Sequence, residues 1–103
     1  MTENFLKIIK EAILKIDREA HIILYGSRAR NNHESDSDWD FLILLKEKPD
    51  MEKTEAIRDV LYDIELDSGE IITTIIRDMN EWNSTLYKAT SFYKNVTKDA
   101  INL

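Results

Sequence analysis

Apolar residues recur at helical spacing through the first stretch of the chain. Phe5, Leu6, Ile8, Ile9, Ala12, Ile13 and Ile16 fall on one side, and Lys7, Lys10, Glu11 and Lys15 on the other. This predicts an amphipathic helix over residues 3–18 whose apolar stripe is core, with Thr2 as its N-cap. The period then changes. Ile22, Ile23, Leu24 and Tyr25 form an unbroken apolar run, the pattern of a strand covered on both faces, and Gly26 ends it. Residues 27–32 predict one or two helical turns, and Asn31 to Ser37 reads as a polar loop. A second apolar run opens at Asp38 and closes near Lys46.

Lys46-Glu47-Lys48-Pro49-Asp50 is a turn. Asp50 caps the next helix, Glu52 sits in its first turn where a negative charge suits the dipole, and Gly69 stops it. Ile57, Val60, Leu61 and Ile64 are the buried stripe of that helix. Ile71 to Ile76, rich in Ile and Thr, is a third strand. Asp78-Met79-Asn80-Glu81 resembles a capping box with Asp at the cap, opening a helical turn that carries Trp82. Tyr93, Val96 and Ala100 mark a last helix over 91–101, and residues 83–90 carry the weakest pattern. The order α-β-(short α)-β-α-β-α predicts an α/β (α+β) fold, a small mixed sheet flanked by helices.

Composition narrows the picture. A chain of 103 residues with 43% apolar content can bury one core, so a single domain over 1–103 is expected, and two Gly and one Pro leave no flexible linker. A net charge of −6 argues against general nucleic-acid binding, which needs a basic face. The absence of cysteine removes disulfide frameworks and thiolate metal sites. The charged N-terminal stretch reads as neither a signal peptide nor a membrane span, so a cytoplasmic location is expected. On that expectation the sequons at Asn83 and Asn95 are chance matches.

The candidate chemistry lies in residues 21–45. Side chains alternate along a strand, so Asp38 and Asp40 point to the same face, with Cα atoms about 7 Å apart, while Trp39 and Phe41 point into the helical layer. Two like charges so close repel unless a cation sits between them. Mg²⁺ suits such a pair, because it takes hard oxygen ligands and completes its shell with water and substrate phosphates. One ion or two can be held this way, which points to metal-clamped phosphoryl or nucleotidyl transfer. Gly26 lets backbone approach a ligand closely, and Ser27, at the expected start of the short helix, offers a hydroxyl and free N–H groups to a phosphate. Arg28 and Arg30 follow one turn later, either as phosphate contacts or as structural partners of nearby acids.

Blander readings compete with this one. A Gly-Ser pair is usually a turn, and a lone Asp-x-Asp is often a solvated strand start. The run from Asp36 to Glu47 imitates a calcium loop, but Phe41 stands where that loop needs Gly. The chain is also too short for a sugar-nucleotide transferase using Asp-x-Asp. His21 and His33 have no spaced partner to make a metal site.

Gly26-Ser27, ten residues, then Asp38-x-Asp40 resembles the signature of the minimal nucleotidyltransferases (MNT) of the polymerase-β-like superfamily. Gly-Ser-Arg-Ala-Arg at 26–30 and Ser-Asp-Ser-Asp-Trp-Asp at 35–40 look like the small prokaryotic MNT group. The resemblance implies that Gly26 and Ser27 bind the nucleotide's phosphates, that Asp38 and Asp40 are catalytic metal ligands for Mg²⁺, and that a nucleoside monophosphate passes from an NTP, with ATP the expected one, to a hydroxyl. It further implies a HEPN-type helical partner protein, in some pairs as antitoxin to toxin. Asp36 has no assigned role, and a homo-oligomer is left open.

Two departures from the family pattern stand out. Asn31 replaces the usual glycine after the Arg-Ala-Arg run, and Asn tolerates left-handed backbone better than most residues. Superfamily members often add a third carboxylate from a later strand, and Ile71 to Ile76 carries none; Glu70, Glu65 or Asp67 are the substitutes nearby. That gap keeps a second reading alive: a non-catalytic nucleotide- or partner-binding module that retains the fold. A plain structural domain is the third.

Overall fold

The computed structural model describes residues 2–31, Glu34 and residues 36–103, without the side chain of Thr2. Helix α1 (Thr2–Ile16) leads into strand β1 (His21–Tyr25), and strand β2 (Trp39–Leu45) follows. Helix α2 (Met51–Ser68) then crosses to strand β3 (Ile72–Asp78). Three short helices close the chain, α3 (Met79–Trp82), α4 (Thr85–Lys88) and α5 (Ser91–Asp99), before a two-residue strand β4 (Ile101–Asn102). The sheet order is β3-β2-β1-β4. β2 pairs antiparallel with β1 and parallel with β3, and β4 pairs antiparallel with β1. The expected mixed sheet flanked by helices is the observed fold.

Alternation along the two central strands builds two cores. Ile22 and Leu24 of β1 and Trp39, Phe41, Ile43 and Leu45 of β2 pack with Ile9 and Ile13 of α1 and Ile57 and Leu61 of α2. Ile23, Leu42 and Leu44 face the other way, against Trp82 and Val96. A strand apolar on both sides is therefore what β1 required. Helix ends follow their caps. The Asp50 carboxylate accepts from the Lys53 N–H at 2.7 Å, and Asp78 accepts from the Glu81 N–H at 2.7 Å. Gly69 ends α2 in the left-handed region, φ 77°, its N–H donating to the Glu65 carbonyl.

Several expectations are corrected. Residues 27–31 form hydrogen-bonded turns rather than a short helix. The N–H groups of Ala29 and Arg30 both donate to the Gly26 carbonyl at 3.1 Å, and Asn31 then enters the left-handed region at φ 57°, which stops propagation after one turn. The final helix ends at Asp99, not 101. Ala100 turns extended, and Ile101 and Asn102 join the sheet opposite Leu24 and Ile23. Residues 85–88, in the stretch of weakest pattern, are helical, with Ser84 as cap. α1 ends at Ile16, and Thr2 lies within it, so its expected capping role falls outside the described side chains. β2 starts at Trp39, one residue after Asp38, and β3 starts at Ile72.

Candidate active site

β1 and β2 run antiparallel, so the end of one meets the start of the other: Tyr25 lies opposite Asp40. The chain leaves β1 at Gly26, whose φ of +78° only glycine adopts without strain. A Cβ on Gly26 would collide with the Asp40 carboxylate. The bend and the second acid of the pair are thus in contact, and the glycine is needed for both its conformation and its missing side chain.

Asp40 projects to the side of Leu42 and Leu44, while Trp39 and Phe41 enter the core against α1 and α2. Asp38, just ahead of the strand, accepts a hydrogen bond from the Thr73 hydroxyl at 3.3 Å. Thr73 stands in register with Asp40 on the parallel neighbour β3, so both acids lie on one side of the sheet. Electrostatics agree. Burial raises the Asp40 pKa above its ordinary value, the Asp38 charge raises it further, and Arg30 opposes both. Arg30 is held by Asp99 at the end of α5, Nη1 to Oδ2 at 2.8 Å.

Arg28 is committed to the fold. Its guanidinium lies 4.3 Å over the Trp39 ring and donates to the Ser37 carbonyl, 3.1 Å from Nη2, and it pairs with Glu70 at 3.6 Å. Its side chain is only 8% exposed. This clamp ties the bend after β1 to the residue preceding Asp38. Ser27 is half-buried in the bend, but it heads a turn, so the helix dipole expected there has no helix to arise from. His21 is the exposed first residue of β1, remote from the acids, and His33 lies outside the described residues.

The three candidate substitutes for a third carboxylate divide plainly. Glu65 accepts from the Ile72 N–H at 2.8 Å. Glu70 accepts from the Trp39 indole at 3.1 Å, on the ring that points away from the acid pair. Asp67 is exposed on α2. Thr73, which the sequence alone did not single out, is the β3 residue facing the acids. Strand alternation would have placed it on one face, but only the register puts it beside Asp40.

Among the described residues, no group of three or more His, Cys, Asp or Glu gathers in metal-holding geometry. The candidate donors are the carboxylates of Asp38 and Asp40. An exposed acid, Asp38, and a part-buried one, Asp40, that repel each other could hold Mg²⁺ with the rest of its shell drawn from water and phosphate. Among the described residues, no helix is long and apolar enough to cross a membrane.

Comparison with known proteins agrees with this geometry. A family model described as a nucleotidyltransferase domain matches residues 6–101. A protein of Methanocaldococcus jannaschii, provisionally named a protein adenylyltransferase, is 36% identical over 79 aligned residues, covering 71% of this chain and 79% of the relative. The crystal structure of a toxin-antitoxin with AMP-PNP superposes with a TM-score of 0.60 at 18% identity, over 99% of this chain and 72% of that one; at such identity the likeness is one of fold. With the Gly-Ser bend against Asp40 and the family model matched over residues 6–101, the chain belongs to the nucleotidyltransferase domain family.

Proposed function

We propose that this protein is a Mg²⁺-dependent adenylyltransferase that moves AMP from ATP to a hydroxyl on a partner protein. The observation that carries the reading is the pair Asp38 and Asp40 on one side of the sheet, with Asp40 against the bend at Gly26. Mg²⁺ bound there would neutralise phosphate charge and orient the triphosphate for in-line displacement. Asp38 and Asp40 are its ligands, Asp38 steadied by the Thr73 hydroxyl. Gly26 keeps the approach to Asp40 free of side chain, and Ser27 offers its hydroxyl to a phosphate oxygen. The acceptor oxygen bonds to the α-phosphorus as the bond to pyrophosphate breaks. The acceptor hydroxyl belongs to another protein, and a HEPN-type helical partner suits that role. The adenylyltransferase name of the archaeal relative and the toxin-antitoxin pairing of the structural neighbour support this assignment.

The test is label transfer. The protein is incubated with α-labelled ATP, Mg²⁺ and a candidate helical partner. Label should appear on the partner and fall by a factor on the order of 10²–10³ in Asp38→Asn, the scale seen when one charge-stabilising group is removed from an active site. Tight ATP binding with no transfer to any tested acceptor would refute catalysis. That outcome belongs to the second reading, a nucleotide-binding module without turnover. One observation favours it: Thr73, not a carboxylate, faces the acids from β3, while Glu65 and Glu70 are engaged elsewhere.

A further inference from the structure

A cleft of about 370 Å³ opens beside Gly26, between the end of β1 and α5. Tyr25, Gly26 and Arg30 form one wall, and Phe92, Asn95 and Asp99 the other. Its volume lies in the range that small-molecule sites occupy, from roughly 300 Å³ upward. A larger cleft, about 550 Å³, lies at the opposite end of β1, against His21 and Lys46, and shares no residue with the acid pair or its bend.

The walls combine charge, aromatic rings and an amide. Phe92, Asn95 and Asp99 are spaced three and four apart, so one face of α5 lines it. At one end Arg30 sits between Asp99, to which it donates at 2.8 Å, and the carboxylate of Asp40, which feels its charge. That is the end where a triphosphate on the acid pair would lie. Beside Arg30 are two rings, Tyr25, which lies opposite Asp40, and Phe92, packed edge to face with centroids 5.8 Å apart. Asn95 is exposed on the same face of α5, and no hydrogen bond within the described residues engages its amide. An amide presents a donor and an acceptor side by side. Adenine offers the complementary pair, an amino donor beside a ring-nitrogen acceptor, whereas the matching edge of guanine offers two acceptors.

We infer that the cleft between β1 and α5 is the nucleoside subsite, in which Asn95 reads the adenine edge while the packed rings of Tyr25 and Phe92 give the base an apolar wall and Arg30 marks the phosphate end. The inference rests on the proposed nucleotide-dependent function and adds to it which part of the chain selects the base. Asn95 is the specificity residue, and it acts on binding of the base rather than on the reacting phosphorus.

The test compares three probes on the full chain with Mg²⁺: ATP, GTP and inorganic tripolyphosphate, titrated calorimetrically. The wild type should bind ATP on the order of tenfold tighter than GTP, the scale of one bidentate base contact. Asn95→Ala, at an exposed position that leaves the core intact, should bring ATP down to the GTP value while leaving tripolyphosphate unchanged. Photolabelling with 8-azido-ATP should tag the α5 segment 91–99. Equal wild-type affinity for ATP and GTP, an ATP preference that survives Asn95→Ala, or labelling outside this cleft would each overturn the subsite. Those results leave the transferase reading standing. Failure of the wild type to bind any of the three probes would instead sink both.

Discussion

The two faces of the sheet are built by the same strands and differ in almost everything else. Toward α1 and α2, every β2 side chain from Trp39 to Leu45 that points inward is apolar and nearly or fully buried. Toward α3 and α5, the alternate positions change character along β2 and just ahead of it: Leu44 and Leu42 are core, and Asp40 and, before the strand, Asp38 are not. The second face therefore closes at one end and opens at the other. The closed face supplies rigidity, and the open end holds charges that destabilise each other. A single seven-residue strand can do both because its side chains alternate. The clamp of Arg28 on Trp39 and the Ser37 carbonyl joins the two, anchoring the acid-bearing end to the closed core.

This contrast can be broken directly. Ile43→Ala empties a fully buried site on the closed face and should cost about 2–5 kcal/mol of unfolding free energy in a denaturant titration. Transfer activity per folded molecule should be retained. Arg28→Lys keeps the charge but loses the stacked, forked geometry, and should cost roughly 1.5–3 kcal/mol, the scale of hydrogen bonds to charged groups. It should also weaken Mg²⁺ binding at the acid pair, measured by titration. If stability falls with no change at the acids, the clamp does not couple the two regions.

The two glycines sharpen the contrast further. Gly26 and Gly69 have nearly equal φ, +78° and +77°, but a Cβ on Gly26 meets Asp40 and one on Gly69 meets nothing within 4 Å. Alanine at either should cost roughly 1–2 kcal/mol of backbone strain. Only Gly26→Ala should abolish nucleotide transfer; loss in both would mean that general destabilisation is responsible.

The smallest effect is a pH dependence of opposite sign at two acids. Burial and the Asp38 charge raise the Asp40 pKa in the folded state, so protonated Asp40 favours folding. Stability from this group is present below its ordinary pKa and lost as pH rises through the raised folded value. Asp17 joins the ends of α1 and α2. Its burial alone would raise its pKa, but the Glu19 N–H and the Lys53 ammonium at 3.1 Å outweigh this and lower it. Its contribution is present above the ordinary value and lost as pH falls through the lowered one. Melting curves between about pH 3 and 6, bracketing the ordinary Asp value, should lose a falling component in Asp40→Asn and a rising one in Asp17→Asn. Mg²⁺ affinity should drop as pH falls through the raised Asp40 value, because the ion competes with the proton.

Periodicity alone determined most of this architecture. The helical stripe at Ile9 and Ile13, the doubly apolar run of β1, the caps at Asp50 and Asp78 and the stop at Gly69 are local patterns with local causes, and each is where the residues predicted it. The facing of Asp38 and Asp40 away from Trp39 and Phe41 follows from strand alternation in the same way. What depended on register and crossover was invisible in one dimension. Tertiary structure decided that Gly26 touches Asp40, that Thr73 faces the acids, that Arg28 serves the fold, and that Asp99 draws Arg30 toward α5 across 69 residues of chain. It also decided the short β4, since two residues gain strand pairing only when an edge of β1 is already there to receive them. Local spacing fixes which way a side chain points. Which other side chain it meets is set by strand pairing between distant segments, and that is a property of the assembled sheet.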